Sequence, residues 1–327
     1  MKSVAIIGTG LSGLSLAHHL PPLNITFFEK SWKPGGRIST RKHEQNKFDH
    51  GAHYLSIDHG VLGLTDFLEK KDAIKKVDAL YTPNFSKNSK KEIKSILIGT
   101  QGIETIPMNI HRSLHYKTNF STKITSIKRE KNSYFLHSED NQFGPFDMVF
   151  SCIPFEQAIP LFQEHIDLNN YPKPTFSSIW TVMLGFDKRL GTDLQYGYYL
   201  NEKISFFMNQ NFKHEQFDQE NWVFNMRSDW TDKHYQIESY VLEDFVANEV
   251  KKIFDSDARP IFKKSHRWKY ANTKKSLREL IGKSFIESVD HKLYILGDWC
   301  EGPAMQDAWL AGKKLAKHIK EFSLKAY

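Results

Sequence analysis

Six residues constrain this chain more than any others. Gly8-Thr9-Gly10-Leu11-Ser12-Gly13 stands between the apolar run Ser3-Val4-Ala5-Ile6-Ile7 and a helix-forming stretch closed by Pro21-Pro22. Gly8 permits a tight turn out of the strand, Gly10 lets the main chain approach a pyrophosphate, and Gly13 lets the helix pack on the strand. Leu11 and Ser12 fall in the first turn of that helix, whose N-terminal end attracts phosphate. The pattern predicts a helix over residues 11–20 and a second strand over 25–29, Ile-Thr-Phe-Phe-Glu. Glu29 closes that strand 21 residues past Gly8, with Lys30 beside it. A carboxylate there accepts hydrogen bonds from ribose hydroxyls. A strand before, a helix after and an acid in place define a dinucleotide site.

A second group of motifs decides which dinucleotide. Gly35-Gly36-Arg37 follows the ribose-binding acid and gives main-chain room for an extended ligand. The Arg37 guanidinium suits pyrophosphate charge. Asp49-His50-Gly51-Ala52-His53-Tyr54 comes next, and Gly297-Asp298 ends an apolar strand near the C-terminus. The acid of that pair suits a ribityl chain. The helix starting near Ala304 aims its first amides, with the main chain of Met305 foremost, at the pyrimidine edge of a flavin. Together these motifs indicate FAD rather than NAD. Arg41 reads as a surface cation.

The organisation follows from the return of the parallel-strand pattern late in the chain. Residues 146–152 and 293–298 read as buried strands, 304–321 as a long closing helix, and 120–137 as a β-hairpin. Helices are also expected over 60–80, with Leu62, Leu64, Phe67 and Leu68 on one side, over 101–113 and over 238–254. Between 176 and 268 aromatic strand-like segments dominate: 179–186, 197–200, 204–209 and 222–226. The expected fold is α/β: a Rossmann-like FAD-binding domain with an inserted, mostly antiparallel α+β substrate domain. Residues 1–60, 111–155 and 266–327 make the first, and 61–110 and 156–265 the second.

Bulk properties narrow the class further. A chain of 327 residues suits two domains and needs no staples. Two cysteines, Cys152 and Cys300, are too few for a disulfide framework and read as small buried hydrophobes in a reducing compartment. Met1-Lys2 leads straight into the first strand, so a cytoplasmic protein without a leader is expected. No apolar stretch of about 20 residues spans a membrane. The net charge of +7 is scattered as a solvated surface rather than a nucleic-acid patch, with a basic mouth for a phosphate-bearing substrate as a secondary reading. No Walker loop, Gly-x-Ser-x-Gly elbow or metal-ligand spacing is present.

The chain resembles the bacterial renalase-type flavoproteins of the flavin amine oxidase superfamily, over nearly its whole length. The resemblance is carried by Gly35-Gly36-Arg37 and Asp49-His50-Gly51-Ala52-His53-Tyr54, then by Trp222-Val223-Phe224-Asn225, Ser228-Asp229-Trp230 and His234. It continues through His266-Arg267-Trp268-Lys269-Tyr270-Ala271, Gly297-Asp298-Trp299-Cys300 and Ala308-Trp309-Leu310-Ala311-Gly312. The resemblance implies non-covalent FAD, with Gly51, Ala52 and His53 beside it and the main chain of Ile124 on the adenine. It also implies oxidation of 2- or 6-dihydro isomers of NAD(P), with hydride passing to the flavin and electrons to oxygen; the sequence leaves a monomer or dimer open.

Two departures stand beside the flavin positions. The family's Gly-Ala-Gln-Tyr reads Gly51-Ala52-His53-Tyr54, and Gly-Arg-Val-Glu-Gly-Ala reads Pro303-Ala304-Met305-Gln306-Asp307-Ala308. Amine oxidases carry a cage tyrosine where this chain has Ala304, which argues against an amine. A dihydropyridine gives up hydride under the drive of aromatisation, so positioning suffices and no triad is needed. His53 is expected at the flavin or substrate. Trp222, Trp230 and Trp268 could wall a planar pocket, Trp299 would pack under the ring system, and Arg227 and His234 could meet a substrate phosphate or carboxamide. An amine oxidase is the alternative enzyme, and a flavin-free protein-binding module of the same fold the alternative outside catalysis.

Overall fold

The protein is described by a computed structural model covering residues 1–57, 63–86, 89–214 and 219–325, with side chains to 321. Its first strand, Ser3–Ile7, is β-branched and apolar, and Val4, Ala5 and Ile6 are wholly buried. That composition suits a strand covered on both faces. Ser3–Ile7 pairs in parallel with Asn24–Phe28 on one side and Met148–Ser151 on the other. Leu293–Ile295 adds in parallel beyond Met148–Ser151, so the two ends of the chain share one sheet. The full order is Ile286–Glu287, Leu293–Ile295, Met148–Ser151, Ser3–Ile7, Asn24–Phe28, Lys117–Asn119; only the Ile286–Glu287 edge runs antiparallel.

Helices Leu11–His19 and Met305–Lys325 pack together, and Ser15 Oγ donates to Trp309 O at 2.6 Å. A side chain at Gly312 would lie 2.5 Å from Leu16 N, so only glycine allows the helices this approach. A small sheet of Ser126–Glu130, Ser133–His137 and Gln142–Phe146 brings Phe143 and Phe146 against Phe28.

The second sheet has eight strands. Thr175–Phe186 is its longest central strand, flanked by Pro260–Lys275 and Glu220–Met226. Ile204–Asn209, Tyr196–Tyr198, Ile74–Thr82, Glu92–Gly99 and Leu55–Ser56 follow in that order, antiparallel except where Tyr196–Tyr198 meets Ile74–Thr82. Pro260–Lys275 runs through residue 265, where a domain border is expected from sequence.

The helix expected over 60–80 is shorter. It spans Leu64–Lys70, and Ile74–Thr82 is a strand paired with Glu92–Gly99. The apolar residues Leu64 and Leu68 keep helical spacing only to that point; beyond it the chain gains a strand partner that local periodicity does not reveal. Leu62 lies outside the described residues. The helix expected over 101–113 is Thr105–Leu114.

Alternation along Glu220–Met226 sorts its residues onto two faces. Trp222, Phe224 and Met226 meet Leu242, Val246 and Val250 of helix Ser239–Ile253 in one apolar cluster. Asn221, Val223 and Asn225 turn the other way, toward Asn46, Phe48 and His53. That second face looks onto the glycine-rich part of the chain.

Candidate active site

The glycine turn opens as its spacing demands. Gly8 N donates to Phe28 O at 2.8 Å, locking the turn between two parallel strands. A side chain at Gly13 would stand 2.2 Å from Gly8 O, so the helix rests directly on the turn. At Gly10 nothing lies within 4 Å of where a side chain would begin. Gly36, at φ +57°, faces it, its own Cβ direction ending 3.9 Å from Gly10 Cα. Two facing glycines thus leave an open cradle at the start of helix Leu11–His19. The amides of Leu11 and Ser12 belong to the first turn, which has no partners within its own helix.

Glu29 is buried and preset. Its Oε2 accepts from Thr9 N at 2.9 Å and Thr9 Oγ1 at 2.8 Å, and its Oε1 accepts from Ser31 N at 2.9 Å. A carboxylate has about four acceptor sites, so capacity for a ribose diol remains. Lys30 points its amine outward to Gln157 Oε1 at 3.5 Å. Thr122 N donates to Glu29 O at 2.8 Å, which keeps the segment leading to buried Ile124 beside this acid. An open glycine cradle and an oriented acid fit the two halves of an FAD diphosphate and ribose.

Arg37 and Asp298 meet from opposite ends of the chain. Arg37 Nη2 donates to Asp298 Oδ1, and Nη1 donates to Tyr270 O at 3.0 Å and Ala271 O at 2.9 Å. The residues expected at the pyrophosphate and at the ribityl chain are therefore partners of each other. Ala52 N donates to Arg37 O at 2.9 Å, which draws the Gly51-Ala52-His53 segment onto the arginine loop. Gly297 leads into the short turn Asp298–Cys300, where Cys300 N donates to Gly297 O. Trp299 is wholly buried, tilted against Phe155, and its indole donates to Ile153 O at 3.2 Å. Met305 opens the closing helix, with Asp307 accepting from Ala304 N at 2.8 Å just ahead of it.

Above the arginine loop lies a buried polar cluster. Lys213 and Asp49 are both fully enclosed and joined as an ion pair. Lys213 Nζ also donates to His53 O at 2.7 Å. Asp49 accepts further from Thr40 Oγ1 at 2.6 Å and Ile103 N at 3.0 Å. Burial alone would raise the Asp49 carboxyl, but Lys213, His214 and the Lys213 and Thr40 hydrogen bonds hold it down at about 2. Burial pulls the Lys213 ammonium below its usual range against the attraction of Asp49.

His53 sits beside this pair. Its Nδ1 faces Asp49 O at 2.9 Å, and its Nε2 faces Asn225 Nδ2 at 2.9 Å. An amide N–H can only donate, so Nε2 is the acceptor and Nδ1 carries the proton. Burial, reinforced by Lys213, lowers the His53 pKa to about 4. Phe206 stacks on the ring at 4.5 Å, and Tyr54 and Tyr198 share a hydroxyl–hydroxyl bond nearby.

The structure separates the other sequence candidates from this cluster. Trp222, expected at the catalytic pocket wall, is instead a core residue: it is wholly buried and stacks on Phe224 on the helix-covered face. The period of two sends it away from Asn225. His234 stacks on Trp230 at 4.0 Å and Trp230 on Phe245, on that same far side. Arg227 bonds Asp229 at 3.2 Å at the start of a short helix. Neither Arg227 nor His234 reaches the cradle through these bonds. Trp268 does stay on the near side, donating to His50 O at 2.8 Å.

Lys213 and Asn225 are the residues that sequence reasoning missed as site components. Asn225 stands in a motif noticed in the sequence, and strand parity relative to Trp222 was the available signal. Lys213 offered none, since Asn211-Phe212-Lys213-His214-Glu215 reads as a polar surface stretch.

The fold and the cradle define a dinucleotide-binding flavoprotein. Comparison with known proteins agrees on the family and the fold. A model for an NAD(P)-binding Rossmann-like domain matches residues 6–67. The model for flavin containing amine oxidoreductases matches residues 76–320, and the chain belongs to that family. It is an FAD-dependent oxidoreductase. Among solved structures, a provisionally assigned protoporphyrinogen oxidase from Exiguobacterium sp. 255-15 superposes with a TM-score of 0.75 at 14% identity, over 97% of this chain and 98% of that one. Putrescine oxidase bound to putrescine gives 0.71 at 11% identity, over 98% and 99%. Cyclohexylamine oxidase from Brevibacterium oxydans IH-35A gives 0.73 at 11%, over 98% and 99%. At such identities these likenesses carry the fold alone. No helix among the described residues is long and apolar enough to cross a membrane.

Proposed function

We propose that this enzyme oxidises a reduced nicotinamide, a 2- or 6-dihydro isomer of NAD(P), by hydride transfer, with oxygen as the electron acceptor. In this reading residues 1–60, 111–155 and 266–327 carry the cofactor, and 61–110 and 156–265 roof the substrate. The small-molecule donor suits a cytoplasmic monomer or dimer.

The observation that carries the reading is the state of His53. Both ring nitrogens are engaged and the imidazole is neutral, so it offers no base. The carboxylate nearest to it, Asp49, is consumed by Lys213. An uncharged, aromatic roof of His53, Asn225, Phe206, Tyr54 and Tyr198 matches a flat donor that loses hydride without losing a proton. It provides no counter-charge for an alkylammonium.

FAD supplies the two-electron acceptor. Glu29 would hold its adenine ribose, Gly10 and Gly36 would admit the diphosphate, and Asp298 would reach the ribityl hydroxyls. Arg37 would then share its charge between Asp298 and phosphate. Met305 would offer a helix-start amide. His53 is oriented through Asn225 and keeps its proton on Nδ1, so it presents no mobile proton.

Anaerobic rapid mixing decides the matter. The isomeric dihydronicotinamides should bleach the flavin band within seconds, while a panel of amines should not. Bleaching by amines alone would replace this reading with amine oxidation, the reaction class named by the putrescine and cyclohexylamine oxidases of similar fold.

A further inference from the structure

The sequence has no run of ligands at metal-binding spacing, yet tertiary folding gathers one trio. Glu287 closes the edge strand Ile286–Glu287 of the six-stranded sheet. His291 lies in the turn that follows, held by His291 N donating to Ser288 O at 3.0 Å and by Tyr294 OH donating to His291 O at 3.1 Å. His318 comes from the closing helix Met305–Lys325. Nδ1 of His291 and Nε2 of His318 stand 2.8 and 3.2 Å from the same oxygen, Glu287 Oε2. One donor atom from each residue falls within 4.8 Å of the other two.

We propose that Glu287, His291 and His318 bind a divalent transition-metal ion of the zinc class, pinning the closing helix to the edge of the six-stranded sheet. A tetrahedral zinc with bonds of about 2.0–2.1 Å sets its donor atoms roughly 3.3 Å apart. Two of the three donor spacings, 2.8 and 3.2 Å, already lie near that value, and the third is within 4.8 Å. Two imidazole nitrogens and one carboxylate oxygen suit zinc, nickel or cobalt, and a site of so few oxygens does not suit calcium or magnesium. The side chains are a quarter to a third exposed, at 26%, 34% and 32%, so an ion reaches them from solvent and water completes its shell.

The position has a structural consequence. Leu293–Ile295 runs on directly to Gly297-Asp298, and the helix that bears His318 begins at Met305. His318 is 13 residues into that helix, about 20 Å from its start at 1.5 Å per residue. The ion therefore joins the closing helix to the edge of the six-stranded sheet, well along the helix from the end that carries Met305.

The test uses tag-free, flavin-loaded protein stripped with a chelator. Zinc is titrated by calorimetry into the parent and into His318→Gln. In parallel, histidine acylation by diethyl pyrocarbonate is mapped with and without zinc. One equivalent should bind per chain, at least tenfold more weakly in the variant, and zinc should shield His291 and His318 from acylation. Absence of saturation near one equivalent, or shielding confined to other histidines, would overturn the site and leave an ion-paired cluster. Acylation mapping reads the parent chain, so it decides the question even where the variant does not fold.

Discussion

Lys213 and Asp49, 164 positions apart, form an ion pair from which solvent is wholly excluded. The lysine comes from the short helix after Ile204–Asn209 of the eight-stranded sheet, and the aspartate ends the strand Asn46–Asp49 next to the arginine loop. The pair thereby bolts the roof to the cradle. His53 hangs from the same bolt through its carbonyl.

Removing one partner leaves an uncompensated buried charge. Lys213→Met should destabilise the fold by about 3–5 kcal/mol, whereas a double change of Lys213 and Asp49 to apolar residues should cost far less. Denaturant unfolding of the single and double variants checks this. A loss in the double variant equal to the sum of the two single losses would mean that the charges are not coupled.

Stability should fall as pH drops below about 6.5, the ordinary imidazole value. Burial holds His50 at about 3, and His53 and His214 at about 4, so these imidazoles stay neutral in the folded chain while those of the unfolded chain take up protons. The unfolded state binds more protons across that window, which lowers the unfolding free energy on acidification. Asp49, ordinarily at 3.8 and held at about 2, removes a further share between those values. Melting temperature against pH reads both stages; a flat curve from pH 6.5 to 4 would refute the buried neutral histidines.

Trp222 and Asn225 should separate packing from function. Trp222→Ala should cost about 3–5 kcal/mol of stability by emptying a core position. Asn225→Leu, which strips a partner from His53 Nε2 and Thr181 Oγ1, should cost about 1–3 kcal/mol of stability per stranded group, and also slow flavin reduction by about tenfold, equivalent to ~1.4 kcal/mol, by freeing the His53 ring. A melting curve and a reductive half-reaction on each variant give the answer. The opposite split would place the indole, rather than the amide, at the substrate.

Glu29→Ala should weaken FAD retention. A charged acceptor contributes about 1.5–3 kcal/mol per hydrogen bond, which amounts to a tenfold loss or more in affinity. Fluorescence titration of the apoprotein measures it, with the melting temperature of the apo variant as a control, because Thr9 and Ser31 also lose their acceptor. Unchanged affinity would remove Glu29 from the site.

Both thiols should resist reagents in the folded protein. Burial raises Cys152 and Cys300 well above the usual thiol range, and neither is exposed. Ellman's reagent at pH 8 should find almost no thiol before denaturation and two per chain after it. Rapid titration of either in the native state would contradict their enclosure.

The cradle was legible because its determinants are local. The spacing of Gly8, Gly10 and Gly13, the apolar strand before them and Glu29 after them all act within one βαβ unit, and the late Leu293–Ile295 strand announces itself by the same pattern. Local periodicity fails where a partner far along the chain decides the outcome. Ile74–Thr82 is a strand because Glu92–Gly99 pairs with it, although the apolar spacing before it is helical.

The roof belongs entirely to tertiary structure. Trp222 and Asn225 lie three residues apart on one strand, and only the helix that covers one face determines which of them looks toward His53. Lys213 resembles any surface lysine until Asp49 is brought against it. Arg37 and Asp298 carry recognisable roles singly, but their pairing depends on both ends of the chain entering one sheet. Sequence by itself determined the cofactor-binding unit, since short-range backbone geometry specifies it. Long-range packing decided the charge state and the chemistry of the surface above it.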